Sequence, residues 1–371
     1  MAPIHVAVLG YGFSANAFHI PYIVRLFELR TILDREVTPQ RNPAKAKYGP
    51  LGVKVVTTLD EVINDPEIDL VVVAVRDMAH VPFTTAVLKA GKHVILEKPI
   101  TATSAEARAL IALAKEKHLI LAPYLNRRFD GDFRTLKSLI DAGKVSFLSR
   151  YDIRGDWPMD PPGGSSGMIY GLGTHLIDQA IALYGEPKTV TGFLMNGRRE
   201  PRDPPEVDDS CIVHLTYANN PVVVTVRCCL HSVASHQIRY IARSKNSSYV
   251  KYGLDPQESQ VMFQGLTPLS PGFGEEPEEK RGEFGIQVDG KDTFIKVKTL
   301  PGCYLDYYKN VASAINGTGS LIATPEQAEL GIRIIEAAKL SDKEKRTVDF
   351  ATFGLCDLQG IKLRLANAYG L

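Results

Sequence analysis

Apolar positions along the 371-residue chain fall into two rhythms. Up to about residue 125, near-continuous apolar runs alternate with stretches of helical spacing. The runs are "IHVAVL" (residues 4–9), "ELRTILD" (28–34), "LVVVAV" (70–75), "KHVILEKP" (92–99) and "LILAPYL" (119–125). Runs of this kind suit strands buried on both faces. Between them, residues 15–26 and 82–90 read as helices, the second with Pro82 at its start. A third helix is predicted over 101–118, opening on a capping box of Thr103 and Glu106. The alternation predicts an α/β domain over residues 1–123, a doubly wound parallel sheet with helices on both faces.

From residue 124 to 371 the rhythm changes, and a second domain is expected. After a helix at 133–142, "LSRYDIR" (148–154) reads as a strand, and "DWPMDPPGGSSG" (156–167) as a loop. A helix over 168–184 follows. Strand-like segments then succeed one another at 189–195, 210–217, 221–230, 237–244, 247–253 and 294–300. Short links between consecutive strands predict a mostly antiparallel sheet. "GEEPEEKRGE" (274–283) reads as a solvated loop, and helices at 304–316 and 325–340 close the pattern.

Composition narrows the function classes. Hydrophobic residues make up 44%, enough for a sizeable core, and the formal net charge is +1. Basic spots at Arg127–Arg128 and Arg198–Arg199 form no stripe with aromatics, so neither nucleic acid nor a membrane is expected as a partner. The five cysteines are odd in number and contain no C-x-x-C pair, which suits free thiols in a reducing compartment. With no apolar run long enough to span a bilayer and no leader pattern, a cytoplasmic protein is expected.

Candidate chemistry begins where the first strand stops. Gly10, Gly12 and Ala15 form G-x-G-x-x-A, with Phe13 and Ser14 inside the turn. The first glycine permits a tight turn, the second lets a pyrophosphate approach the backbone, and the small third residue lets the helix pack closely. The helix N-terminus then offers unpaired N–H groups to phosphate. About 20 residues on, the second strand ends in Asp34 and Arg35. An acid there bonds the ribose 2′-hydroxyl of NAD, and an arginine pairs with the 2′-phosphate of NADP. Both are supplied. Farther along, Glu97-Lys98-Pro99 stands at the C-terminal end of a parallel strand, where open sheets bind ligands. A lysine there can give a proton to a carbonyl oxygen while hydride moves at the carbon. No trio of His, Asp and Glu has metal-ligand spacing, and no G-x-S-x-G elbow is present, so no metal and no nucleophile are expected.

Four segments in order resemble the Gfo/Idh/MocA oxidoreductases: "VAVLGYGFSANAFH", "VVVAVRDMAHVPFTTAVLKAGKHVILEKP", "YLNRRFDGDF" and "LGTHLIDQA". "SSYVKYGLDPQE" (247–258) is further similar to a subgroup near NADP-dependent scyllo-inositol dehydrogenases. The resemblance implies a Rossmann domain, then an α/β domain on an open sheet that serves as a dimer or higher homo-oligomer surface. It also implies NAD(P)-linked interconversion of alcohol and ketone on a sugar, cyclitol or related small molecule. The subgroup tilts the cofactor to NADP(H), with NAD(H) the alternative.

By the same resemblance Lys98 is the catalytic lysine and His175 the catalytic histidine. Val75, Arg76, Asp77 and His80 would line the nicotinamide pocket, together with Glu97, Asn126 and Arg127. Tyr124, Gly171, His175 and Asp178 would face substrate. One position departs. The family carries an aspartate four residues before the histidine, and this chain carries Gly171. His175 would lose a partner, general acid–base work would lean on Lys98, and the vacated space would admit a bulkier substrate. Two further readings follow: a dinucleotide-binding sensor with reduced catalysis, or a reductase of imines or non-sugar carbonyls. His19, in "AFHIP", is expected to pack near the glycine turn or cap it.

Overall fold

A computed structural model describes residues 3–35, 42–145, 147–153, 164–197, 207–230 and 232–353. The expected proline-rich loop up to residue 163, Arg198, Arg199 and Cys356 lie outside these residues. The first sheet contains β1 (His5–Leu9), β2 (Glu28–Leu33), β3 (Lys54–Val56), β4 (Leu70–Val73), β5 (His93–Leu96) and β6 (Leu121–Pro123). All its pairings are parallel, in the order β3-β2-β1-β4-β5-β6. Every residue of β4, and all but the first of β1 and β5, is buried, because helices cover both faces. The order reverses between β1 and β4, so a crevice opens beyond their C-terminal ends.

The helices of this part are α1 (Ile20–Leu26), α2 (Pro43–Tyr48), α3 (Asp60–Ile63), α4 (His80–Lys89) and α5 (Ser104–Glu116). The Thr103 capping box forms with Glu106 as expected. The sequence reading had no helix at α2 or α3, and it differs in further details. β3 was not anticipated: it has three residues and sits half-exposed at the sheet edge, too short for a periodic signal. α4 starts two residues before Pro82, which is accommodated in the first turn, where no helical N–H partner is required. The expected single helix over 15–26 is a π-turn, Ala15–His19, running into α1. Pro21 explains the break. It has no N–H, so the carbonyl of Ala17 lacks its usual partner, and Ile20 N–H reaches back five residues to Ala15.

The second sheet has nine strands: β7 (Phe147–Ile153), β8 (Thr189–Met195), β9 (Ser210–Thr216), β10 (Val223–Cys229), β11 (Ile238–Arg243), β12 (Ser247–Tyr252), β13 (Glu283–Val288), β14 (Lys291–Lys296) and β15 (Val348–Asp349). Only the β7–β10 pairing is parallel, matching the expected mostly antiparallel sheet. β13 was not read, and the strand expected at 294–300 lies at Lys291–Lys296. The remaining helices are α6 (Gly131–Asp141), α7 (Thr174–Tyr184), α8 (Gln257–Met262), α9 (Leu305–Ile315) and α10 (Pro325–Glu344). A second π-turn, Ile169–Gly173, precedes α7, where one helix was expected.

The acidic stretch 274–283 is not wholly solvated. Glu276 is buried against Lys251 at 2.9 Å, and a Cβ on Gly274 would stand 2.0 Å from the Gly302 carbonyl. α9 delivers Tyr307, Tyr308 and Val311, with Tyr304 just before it, into the core beneath β1 and β4. There they meet Tyr22, Tyr124 and Phe129, so elements far apart in sequence share one apolar cluster.

Candidate active site

The turn after β1 lies on the crevice between β1 and β4. Gly10 has φ +97°, and a Cβ there would stand 2.4 Å from the Ala74 carbonyl. At Gly12 no atom of the described residues lies within 4 Å of a Cβ position, so that among them the backbone is open to a close ligand. Ala15 is fully buried, letting the following turn seat on the sheet. Phe13 is exposed, with its ring edge-on to Phe18. This is the shape a diphosphate requires, and the glycine types fit it.

Asp34 is buried at the end of β2, and Arg35, exposed, lies over the Phe83 ring at 5.1 Å from its centre. Beyond β4, Val75 is half-buried and Arg76 exposed. Asp77 accepts from both the hydroxyl and the N–H of Ser165, a residue the sequence reading did not single out. His80 is buried between two carbonyls, Pro99 at 2.8 Å and Val75 at 3.2 Å. Burial outweighs these partners and pushes its pKa down; a neutral ring has one N–H, so it donates to one of the two carbonyls, Pro99 being the nearer.

Glu97 and Lys98 follow β5. The Glu97 carboxylate accepts from Ser14 Oγ, from His19 Nε2 at 3.0 Å and from the Lys98 N–H at 2.9 Å. Burial raises its pKa, but the His19 bond and charge, the Lys98 charge and the Ser14 bond outweigh that and hold it at about 2. Lys98, half-buried, donates from Nζ to the Gly171 carbonyl at 3.1 Å. Gly171 belongs to the second π-turn, and His175 is buried one turn on, at the start of α7. Among the described residues, a Cβ on Gly171 would meet Met168 Cε alone, at 3.5 Å.

Four of the expected site residues are buried among other parts of the chain. Arg127 is 2% exposed, and its guanidinium donates to Tyr304 and Glu258. Asp178 does not face a pocket: Arg128 grips its carboxylate through Nε and a terminal nitrogen, the shortest contact 2.6 Å. Tyr124 is 1% exposed, with its ring 4.4 Å from His19 and its hydroxyl donating to Phe18 O, so it forms a wall behind the site. Asn126 is likewise buried. A sequence pattern marks where such polar residues stand, but not which of their neighbours neutralises them. His19, by contrast, does pack beside the glycine turn.

Comparison with known proteins gives two family matches. The model described as oxidoreductase family, NAD-binding Rossmann fold, covers residues 4–125, and that described as oxidoreductase family, C-terminal alpha/beta domain, covers 150–350. The chain is 36% identical to the uncharacterized oxidoreductase C26H5.09c of Schizosaccharomyces pombe, over 94% of this chain and 99% of that protein. It is 35% identical to the scyllo-inositol 2-dehydrogenase (NADP(+)) IolW of Bacillus subtilis, over 93% and 95%. The crystal structure of an oxidoreductase from Bacillus cereus superposes with a TM-score of 0.82 at 31% identity, over 93% of this chain and 98% of that one. With both halves matched, and with a glycine turn shaped for a dinucleotide, the chain belongs to the Gfo/Idh/MocA oxidoreductase family.

Proposed function

We propose that this chain interconverts a secondary alcohol and a ketone on a sugar, cyclitol or related small molecule, with Lys98 carrying the proton. The observation behind this reading is the Lys98 ammonium itself, beyond the end of β5, beside the crevice and 3.1 Å from the Gly171 carbonyl. A nicotinamide cofactor, when bound, supplies or accepts the hydride. Lys98 gives its proton to the carbonyl oxygen in reduction and takes it back in oxidation. The Gly171 carbonyl aims the ammonium, which polarises the substrate oxygen in this reading. His175, one turn beyond Gly171, assists the transfer.

NADP(H) is the cofactor we favour. Arg35 is exposed on the face of Phe83, where its charge can reach a 2′-phosphate, and IolW is named for NADP. No helix among the described residues is long and apolar enough to cross a membrane. The odd cysteine count with no C-x-x-C pair is the basis on which we place the protein in the cytoplasm. Residues 1–123 and 124–371 are the two domains of this proposal.

The test is Lys98→Met, assayed with both dinucleotides against sugars, cyclitols and ketones. Turnover is expected to fall on the order of 10²- to 10⁴-fold while dinucleotide binding is kept. Retained turnover would remove Lys98 from the chemistry. Wild-type binding of dinucleotide with no turnover on any substrate would favour the sensor reading.

A further inference from the structure

His19 closes the first π-turn and is fully buried. Its Nε2 lies 3.0 Å from Glu97 Oε1 and its Nδ1 2.9 Å from the Tyr308 hydroxyl. The same carboxylate receives Ser14 from the glycine turn and the main-chain N–H of Lys98. We propose that His19 is a positioning residue, which fixes the Glu97 carboxylate so that the nucleotide turn and the Lys98 amine are held in one frame. The proposal rests on the reading of Lys98 as the proton carrier.

Donor counting sets the state of the ring. Glu97 is ionised, so its carboxylate can only accept, and Nε2 must carry a hydrogen. The other nitrogen has two options. Tyr308 OH lies 2.7 Å from the Phe18 carbonyl as well as beside Nδ1. When Tyr308 donates to Phe18, Nδ1 donates to Tyr308 and the ring carries both hydrogens. When the hydroxyl turns to Nδ1, the ring is neutral and Phe18 O keeps Tyr124 OH at 2.9 Å. In both states the bond to Glu97 survives. A rotating tyrosine hydroxyl absorbs the change, and the frame around Lys98 stays put.

A buried carboxylate without enough donors takes up a proton instead. The groups facing Glu97 are Ser14 and His19 from the first turn, Lys98 beside it, His80 of α4, Tyr124 after β6, and Tyr307 and Tyr308 of α9. Only His19 and Lys98 bring positive charge to offset the burial of Glu97. Removing His19 should therefore move protonation of Glu97 to higher pH and leave the carboxylate less firmly held, so the frame around Lys98 loosens.

The experiment compares wild type, His19→Leu and His19→Gln by pH profile, with dinucleotide dissociation constants and circular dichroism measured alongside. For His19→Leu, kcat at neutral pH should fall about tenfold, with an acid limb displaced upward by about one unit or more. His19→Gln keeps an N–H near the Nε2 position and should recover most of the loss. A folded His19→Leu enzyme with the wild-type pH profile would overturn the proposal, as would equal impairment of the two variants. A second readout needs no turnover: nitrogen NMR of labelled histidine. It should find a hydrogen on Nε2 of His19 in wild type and that signal perturbed in Glu97→Gln; a bare Nε2 would overturn the link. Because that signal is independent of catalysis, it separates failure here from failure of Lys98→Met to lose activity.

Discussion

At the scale of single residues, geometry reassigned several side chains that chemistry alone would have sent to the site. Asp178 is the sharpest case. An acid on the helix that carries His175 invites a substrate role, yet Arg128 takes both its oxygens, and Arg128 itself is anchored on Ile322 O and Gln327. Removing one partner of a buried ion pair leaves the other uncompensated. Asp178→Asn is therefore expected to cost about 3 kcal/mol of stability, read by urea denaturation, while the folded fraction keeps its KM. A raised KM at unchanged stability would return Asp178 to the substrate. Glu97 behaves in the opposite sense. Its folded pKa of about 2 lies below that of an ordinary carboxyl, so the stabilisation is present above the unfolded value and drains away as pH falls toward 2. Glu97→Gln should flatten that part of a stability-against-pH curve, measured by thermal melts from neutral pH downward.

Secondary-structure elements were largely legible, and the two π-turns were missed for one shared cause. Period and capping gave the buried parallel strands, the Thr103 box and the succession of antiparallel strands, because burial on one or two faces imposes a repeat. Neither π-turn has a repeat of its own. Each inserts one residue into a helix whose apolar pattern continues on either side. Pro21 was the available signal for the first, and the glycines at 171 and 173 for the second. Both turns present carbonyls that side chains collect: Tyr124 and Tyr308 on Phe18, Lys98 on Gly171, Thr174 on Tyr170. The two turns also converge on neighbouring residues, the first on Glu97 and the second on Lys98. Pro21→Ala restores the missing N–H and should let the first turn close into an ordinary helix, turning His19 by about 100°. The expected outcome is a folded enzyme with kcat lowered about tenfold. A crystal structure retaining the π-turn in that variant would show that the proline is not its cause.

For the molecule as a whole, the doubly wound sheet was readable and its place in a family followed from motif order. Which core each distant segment joins was not, since α9 reaches the first sheet through tertiary packing. One face of β8–β10 is covered by α7 and α10; the other carries Phe193 and Met195, 46% and 42% exposed, beside Ile212 and His214. Exposed aromatic and sulfur side chains on an open sheet suit a covering partner, and a second copy of this chain is the occupant we propose. Phe193→Asp should shift the enzyme toward monomer in analytical ultracentrifugation; an unaltered sedimentation profile would move the assembly surface elsewhere.

The two glycines of the first turn carry separate duties. Position 10 is closed on one side by the Ala74 carbonyl, whereas a Cβ at position 12 would meet none of the described residues. Among random variants sorted for cellular abundance, almost any residue should survive at the second and scarcely any at the first. Sorted for retention on an immobilised nucleotide resin, the same library should turn strict at both, so comparing the two selections would distinguish a letter the architecture demands from one the ligand demands.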